Sequence, residues 1–367
     1  MVLALGSPAR ADRPKVKLQL EAGSEADTNV HRTTTGGVPA AGGRLTTRFG
    51  LGWKRDRHTL VLDAVAAART FFAPAEASEE DVLVLSGDAR YDVAVGPADG
   101  PRPLALGARL SYYDAIERPT SDAGRDLDHD FRTFAGAGAM TLLTDGGARV
   151  VATAGYRVFT YKPNRAFDFA GETAGLSFTH PFPLGKDDQD SLEVTLSYAA
   201  ARRRYQSAAI ANVCADDAAL AATCLMTTDR LRSDLFHAAG IEASYLGSRI
   251  YTVRYQLHLN DSTSFGQSLL RNRLELAITS EVVWDIVVTA KAVLQWHHFL
   301  DPVLLSGDIG TFLTIEDESR NAFVLHAVRE FGDLTLEARY AFYANELGGD
   351  LPFRRHTLYL GLVYALP

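Results

Sequence analysis

Four basic residues, Arg254, Arg271, Arg273 and Lys291, fall in one phase of consecutive extended segments, and His258 shares it. Set around a pore, such cations would form a basic strip that guides an anionic solute. Paired with Glu242, Glu275 and Glu281, whose phase they share, they would instead neutralise one another and zip a charged wall. Pairing is the expected arrangement, and these five basic residues are the lumen-facing candidates. Other chemistry is poorly supported. His297 and His298 are adjacent, so in a strand they point to opposite faces and cannot readily chelate one ion. Asp126, Asp128 and Asp130 in D-L-D-H-D resemble part of a calcium loop, but the turn glycine and bidentate glutamate of that motif are missing. A solvated acidic loop is expected there, and no metal ligand is assigned. No G-x-S-x-G occurs and no serine has a recognisable local partner. The chain is therefore expected to carry no catalytic residue and no cofactor. Cys214 and Cys224 are the two cysteines of the chain, ten residues apart in one loop. In an oxidising compartment they are expected to form a disulfide.

The elements that must position these residues are alternating strands. From Arg249 to Asn260 the sequence reads R-I-Y-T-V-R-Y-Q-L-H-L-N. Tyr251, Val253, Tyr255, Leu257 and Leu259 take the odd positions, while Thr252, Arg254, Gln256, His258 and Asn260 take the even ones. A strand sends alternate side chains to opposite faces, so this segment has one apolar face and one polar face. The pattern recurs along the chain. Leu45, Phe49, Leu51 and Trp53 oppose Arg44, Thr46, Arg48 and Lys54. Leu192, Val194, Leu196 and Tyr198 oppose Glu193, Thr195 and Ser197. Leu358, Leu360, Leu362, Tyr364 and Leu366 close the series. The Gly/Ala-rich segment that follows the acidic loop at about 114–129, and the segment near 320–331, leave their register open.

Connections differ in length by parity. Those near 31–42, 72–81, 114–129, 206–229, 299–319 and 344–354 are long; those at 54–58, 145–148, 246–249, 284–286 and 330–333 are tight. Short periplasmic turns alternating with longer extracellular loops mark a bacterial outer-membrane barrel. Tyr112, Tyr156, Tyr198, Tyr245, Tyr251, Tyr340 and Tyr364 fall near strand ends on the apolar face, where an aromatic girdle lies. The expected fold is all-β, a transmembrane antiparallel up-and-down barrel of about 16 strands, with 14 to 18 compatible with the pattern.

Composition agrees. Mean hydropathy is −0.05 with 22% charged residues, and no apolar run approaches the roughly 18 residues of a spanning helix. A barrel reconciles membrane residence with that balance, since its two faces average out. A net charge of −8 and a pI near 5.7 argue against a nucleic-acid partner. Residues 1–11, M-V-L-A-L-G-S-P-A-R-A, look like the end of a secretory signal with Ala9-Arg10-Ala11 as the cleavage site. Residues 12–367 then form a single barrel domain.

The last strand, T-L-Y-L-G-L-V-Y-A-L-P, resembles the C-terminal signal read by the outer-membrane barrel assembly machinery, with Gly361 followed in phase by Tyr364 and Leu366. It ends in Pro367 rather than an aromatic residue. E-A-D-T-N-V-H-R, Glu25 to Arg32, resembles the Asp-x-Asn-Val-x-Arg end of the first strand in some outer-membrane barrel families. Several of these are porin-like partners of exopolysaccharide synthesis and export. The resemblance implies an outer-membrane location and a porin-like conduit for exopolysaccharide or another polar solute. The implied partners are outer-membrane lipid and lipopolysaccharide, the assembly machinery, and periplasmic export components. The alternative is a non-conducting barrel that anchors an envelope-spanning motility or secretion complex.

Overall fold

Alternation along the chain resolves into sixteen strands in the computed structural model, which describes residues 14–30, 37–96, 103–117, 130–162, 164–184, 190–214, 224–300, 321–344 and 354–366. The expected leader, Asp126 and Asp128 lie outside the described residues. In chain order come β1 (Lys15–Asp27), β2 (Ala40–Arg55), β3 (His58–Ala73) and β4 (Val82–Val95). Next are β5 (Leu104–Glu117), β6 (Phe131–Leu143), β7 (Arg149–Tyr161) and β8 (Phe169–Leu184). β9 (Asp190–Asn212), β10 (Leu225–Leu246), β11 (Arg249–Ser262) and β12 (Leu269–Glu281) follow. The last are β13 (Val287–Phe299), β14 (Asn321–Phe331), β15 (Leu334–Ala344) and β16 (Arg354–Leu366).

Each strand pairs antiparallel with its sequence neighbours, and β16 returns to pair with β1, so the sheet closes on itself. Closure removes the unpaired edge that hydrocarbon could not solvate. The outer face is apolar and exposed: Leu45 is 57% accessible, Leu196 50% and Leu360 54%. On a protein in water such a surface would be an aggregation hazard. Here it forms the lipid-facing belt of a transmembrane barrel, and a closed antiparallel barrel of even strand number is the architecture of the bacterial outer membrane. The chain is an integral, multi-pass barrel of that kind. Among the described residues no helix is long and apolar enough to cross a membrane.

Register places the seven expected girdle tyrosines on the outer face. Tyr245 lies opposite Tyr251 beside the tight turn at 247–248, and Tyr364 lies opposite Leu334 beside the turn at 332–333. Gly332 holds a positive φ of 64° in that turn, a conformation suited to glycine. In outer-membrane barrels such tight turns belong to the periplasmic end, and Tyr112, Tyr156, Tyr198 and Tyr340 lie toward the long-loop end. The two open registers are settled. Phe134, Met140 and Leu142 of β6 face out, as do Phe323 and Leu325 of β14.

One boundary differs from expectation. A loop was expected over 206–229, yet β9 runs to Asn212 and β10 starts at Leu225. These strands have 23 and 22 residues, where about 9–11 suffice to cross. Their ends stand clear of the lipid, so nothing there requires one apolar face, and alternation lapses while the ladder continues. Register shifts occur between Thr227 and Leu231 and between Leu231 and Ser233. Cys214 and Cys224 form a disulfide where the two strands end, with Cα atoms 5.2 Å apart.

Candidate functional site

The lumen is where polar chemistry collects. Register puts Arg254 opposite Glu275, His258 opposite Arg271, and Gln256 opposite Arg273 across β11 and β12. Lys291 of β13 lies opposite Ala277, and Arg271 opposite His297. All five nominated residues therefore face inward on three neighbouring strands. Arg254 pairs with Glu242 of β10. Lys291 Nζ lies 2.8 Å from Glu275, and Arg273 lies 3.5 Å from the same carboxylate. Glu275 thus holds two cations between β12 and β13. Arg254, Arg273 and Lys291 belong to a zipped wall rather than to an unopposed basic strip. His297 turns inward and His298, in the next position, outward.

A second charged wall escapes a strand-by-strand reading, because only closure assembles it. On β1, Glu21 accepts hydrogen bonds from Arg48 of β2 at 2.9 Å and from the Tyr359 hydroxyl of β16 at 2.8 Å. Glu25 lies between Arg44 at 3.7 Å and Arg69 at 3.8 Å. Asp27 accepts from Arg355 Nε at 2.8 Å, and its other oxygen accepts from the Asn29 backbone N–H. Farther round, Glu337 lies 3.0 Å from His326 and 2.5 Å from Arg339. The Tyr359 ring lies flat against the wall, since a Cβ at Gly23 would come within 2.6 Å of it and one at Gly361 would also collide. These glycines make the close approach of ring to backbone possible. Sequence phase signals which of these residues face inward; it does not signal that β1 meets β16.

Between the walls many inward side chains of β6 to β9 are small, among them Ala135, Ala137, Gly155, Thr153, Gly175, Ser177, Ser197 and Ala199, with Arg157 opposite Ala135, placed by the shared register. Ser197 and Ala199 are exposed although they face the lumen. Asp63 of β3 lies opposite Asp88 of β4, and both are exposed. Like charges directly across a ladder repel, and that repulsion is tolerable where water screens it. The middle of the lumen is therefore hydrated.

Toward the long-loop end the same inward face is packed. Phe131, Phe159, Phe169 and Tyr205 run side by side across β6 to β9, with successive ring centroids 5.1–5.5 Å apart. Phe167, from the connection between β7 and β8, joins this cluster. Asp234 is 1% accessible; it accepts from Arg232 at 2.9 Å and from Ser262 at 2.6 Å. Gln295 is fully buried. A smaller core of Val30, Ala40, Phe71 and Ala77 ties the connection after β1 to the one after β3. The site is a barrel interior that is wet in the middle and narrowed near one mouth by aromatic and ion-paired side chains. Neither the inward phase of Phe131, on a strand whose register the sequence left open, nor the convergence of these aromatics on one end was legible in sequence.

No family model matches the chain, and no curated protein matches it. Solved structures do. The outer membrane protein OpdK from Pseudomonas aeruginosa is 9% identical, covering 96% of this chain and 99% of its own, with a TM-score of 0.46. OccAB1 of Acinetobacter baumannii is 10% identical, covering 96% and 97%, with a TM-score of 0.47. A BenF-like porin from Pseudomonas fluorescens is 9% identical, covering 97% and 100%, with a TM-score of 0.46. Likeness this distant assigns no solute.

Proposed function

We propose that the protein is a non-catalytic, porin-like conduit of the outer membrane for a polar, hydroxyl-rich solute, of which an exopolysaccharide strand is one. The observation that carries this reading is the hydrated lumen, where Asp63 faces Asp88 and the inward Ser197 and Ala199 remain accessible to water. A barrel serving only as an anchor needs no such interior. Ion-paired walls suit a sugar, because carboxylates and guanidinium groups held in fixed pairs offer acceptors and donors with little net field. The resemblance carried by Glu25 to Arg32 favours the polysaccharide setting.

The packed mouth favours a second reading, an anchoring barrel that conducts nothing. Liposome swelling separates the two. Vesicles carrying the folded protein should swell in isotonic monosaccharide, and more slowly as the sugar lengthens. Vesicles that hold folded barrel and do not swell in any sugar would favour the anchor.

A further inference from the structure

On the outer wall, where β15, β16, β1, β2 and β3 meet, lies a groove of about 590 Å³. Ala26, Ala41, Leu358 and Tyr340 line it with Pro39 and Pro74, and Asp27, Thr28 and Thr357 are its polar lining beside His356. The groove runs on into the lipid-facing belt, where Leu20, Leu45 and Leu360 are exposed. At its upper edge His356 Nδ1 lies 2.8 Å from the Tyr340 hydroxyl. Arg354, two positions earlier on β16, takes the same outward phase and is exposed. Two other outward cations near this end are paired, Arg132 with Asp114 at 2.8 Å and Arg204 with Glu172 at 2.6 Å. Arg354 makes no ion pair among the described residues.

We propose that this groove is a binding site for one phosphorylated, multiply acylated glycolipid of the outer leaflet. An acyl chain lies over Ala26 and Ala41, and a phosphate is held by Arg354 with His356 beside it. Two features of the site select this occupant. An apolar groove continuous with the lipid belt is filled by hydrocarbon, because water there would forgo its hydrogen bonds. A guanidinium with no carboxylate partner among the described residues, two positions along β16 from the groove-lining His356, matches a phosphate in a fork geometry. The proposal rests on the lipid-facing orientation of this wall and is independent of conduction, so either can fail without the other.

Native mass spectrometry of the detergent-purified, full chain tests it, with bis-phosphorylated lipid A as the probe. The expected result is one adduct per chain. Ala26→Trp, which fills the groove, and Arg354→Gln, which removes the charge, should each weaken binding by about tenfold. Dephosphorylated lipid A should bind as weakly as the probe binds to Arg354→Gln, and excess inorganic phosphate should not displace the adduct. Leu196→Trp, on the far wall, should bind as the parent does. Heat-modifiable migration reports folding. If Ala26→Trp does not fold, Arg354→Gln and the dephosphorylated lipid carry the test. Equal binding by parent and Arg354→Gln would overturn the proposal. So would a dimer that Ala26→Trp abolishes, which would give the groove to a second copy of the chain.

Discussion

A carboxylate inside this barrel is stabilised by what meets it across the ladder. Glu21 is 2% accessible and bonded to both Arg48 and Tyr359. Glu21→Gln removes its charge and leaves Arg48 reaching toward the lumen. That change should lower stability by about 1–3 kcal/mol, the worth of a buried hydrogen bond to a charged group, read as a lower urea midpoint in lipid vesicles. Glu172→Gln, whose partner Arg204 is half exposed, should leave the midpoint unchanged. Equal shifts would mean that burial does not decide these energies. Lys162, just beyond β7, responds to pH. Burial lowers its pKa, but hydrogen bonds to Asp130 and Asp114 outweigh this and hold it above the ordinary 10.5. A raised lysine contributes stability that is complete below the ordinary value and fades as pH rises through the folded one. Unfolding midpoints taken from about pH 9 to 12 should therefore fall at the alkaline end, and Lys162→Met should remove that step. A step that persists in the variant would assign it elsewhere.

At the scale of elements, the two faces of β11 should respond oppositely to the same residue. Leu257 is 37% accessible on the lipid side, and an arginine there should cost roughly 2–4 kcal/mol at mid-membrane and impair assembly. Gln256→Arg, inward, should be nearly silent. Heat-modifiable yield in vesicles measures both, and equal effects would put the register wrong. The β9–β10 extension offers a second test. Cys214→Ser opens a ring worth about 3 kcal/mol in the chain-entropy estimate. It should speed proteolysis between 213 and 224 and leave the barrel folded; loss of the barrel would tie the hairpin end to assembly. Strands such as β11 and β16 were legible because lipid and lumen impose a strict two-residue period. β6 was not, because in F-A-G-A-G-A small residues fill both phases. The outer parts of β9 and β10 were missed because, beyond the lipid, no solvent difference writes a period into the chain. The strip of Arg254, Arg273 and Lys291 could be read with its partners Glu242 and Glu275. The Glu21–Tyr359 contact could not, since 338 positions separate its members.

For the whole molecule, closure sets the topology. Cysteines introduced near 36, 122 and 310 should react with an impermeant reagent on intact cells, while those at 56 and 147 should not; the opposite parity would invert the barrel. With that orientation, the aromatic and ion-paired narrowing lies at the extracellular end of the barrel. The proposed conduit makes a direct claim on electrical behaviour. Single-channel current through purified protein in a planar bilayer tests it, with Ala199→Cys as the reporter inside the lumen. The account predicts stable current steps from both proteins, and a lasting reduction of the step in Ala199→Cys alone when a charged thiol reagent is added. A folded barrel that passes no current, or an Ala199→Cys current that the reagent leaves untouched, would contradict it.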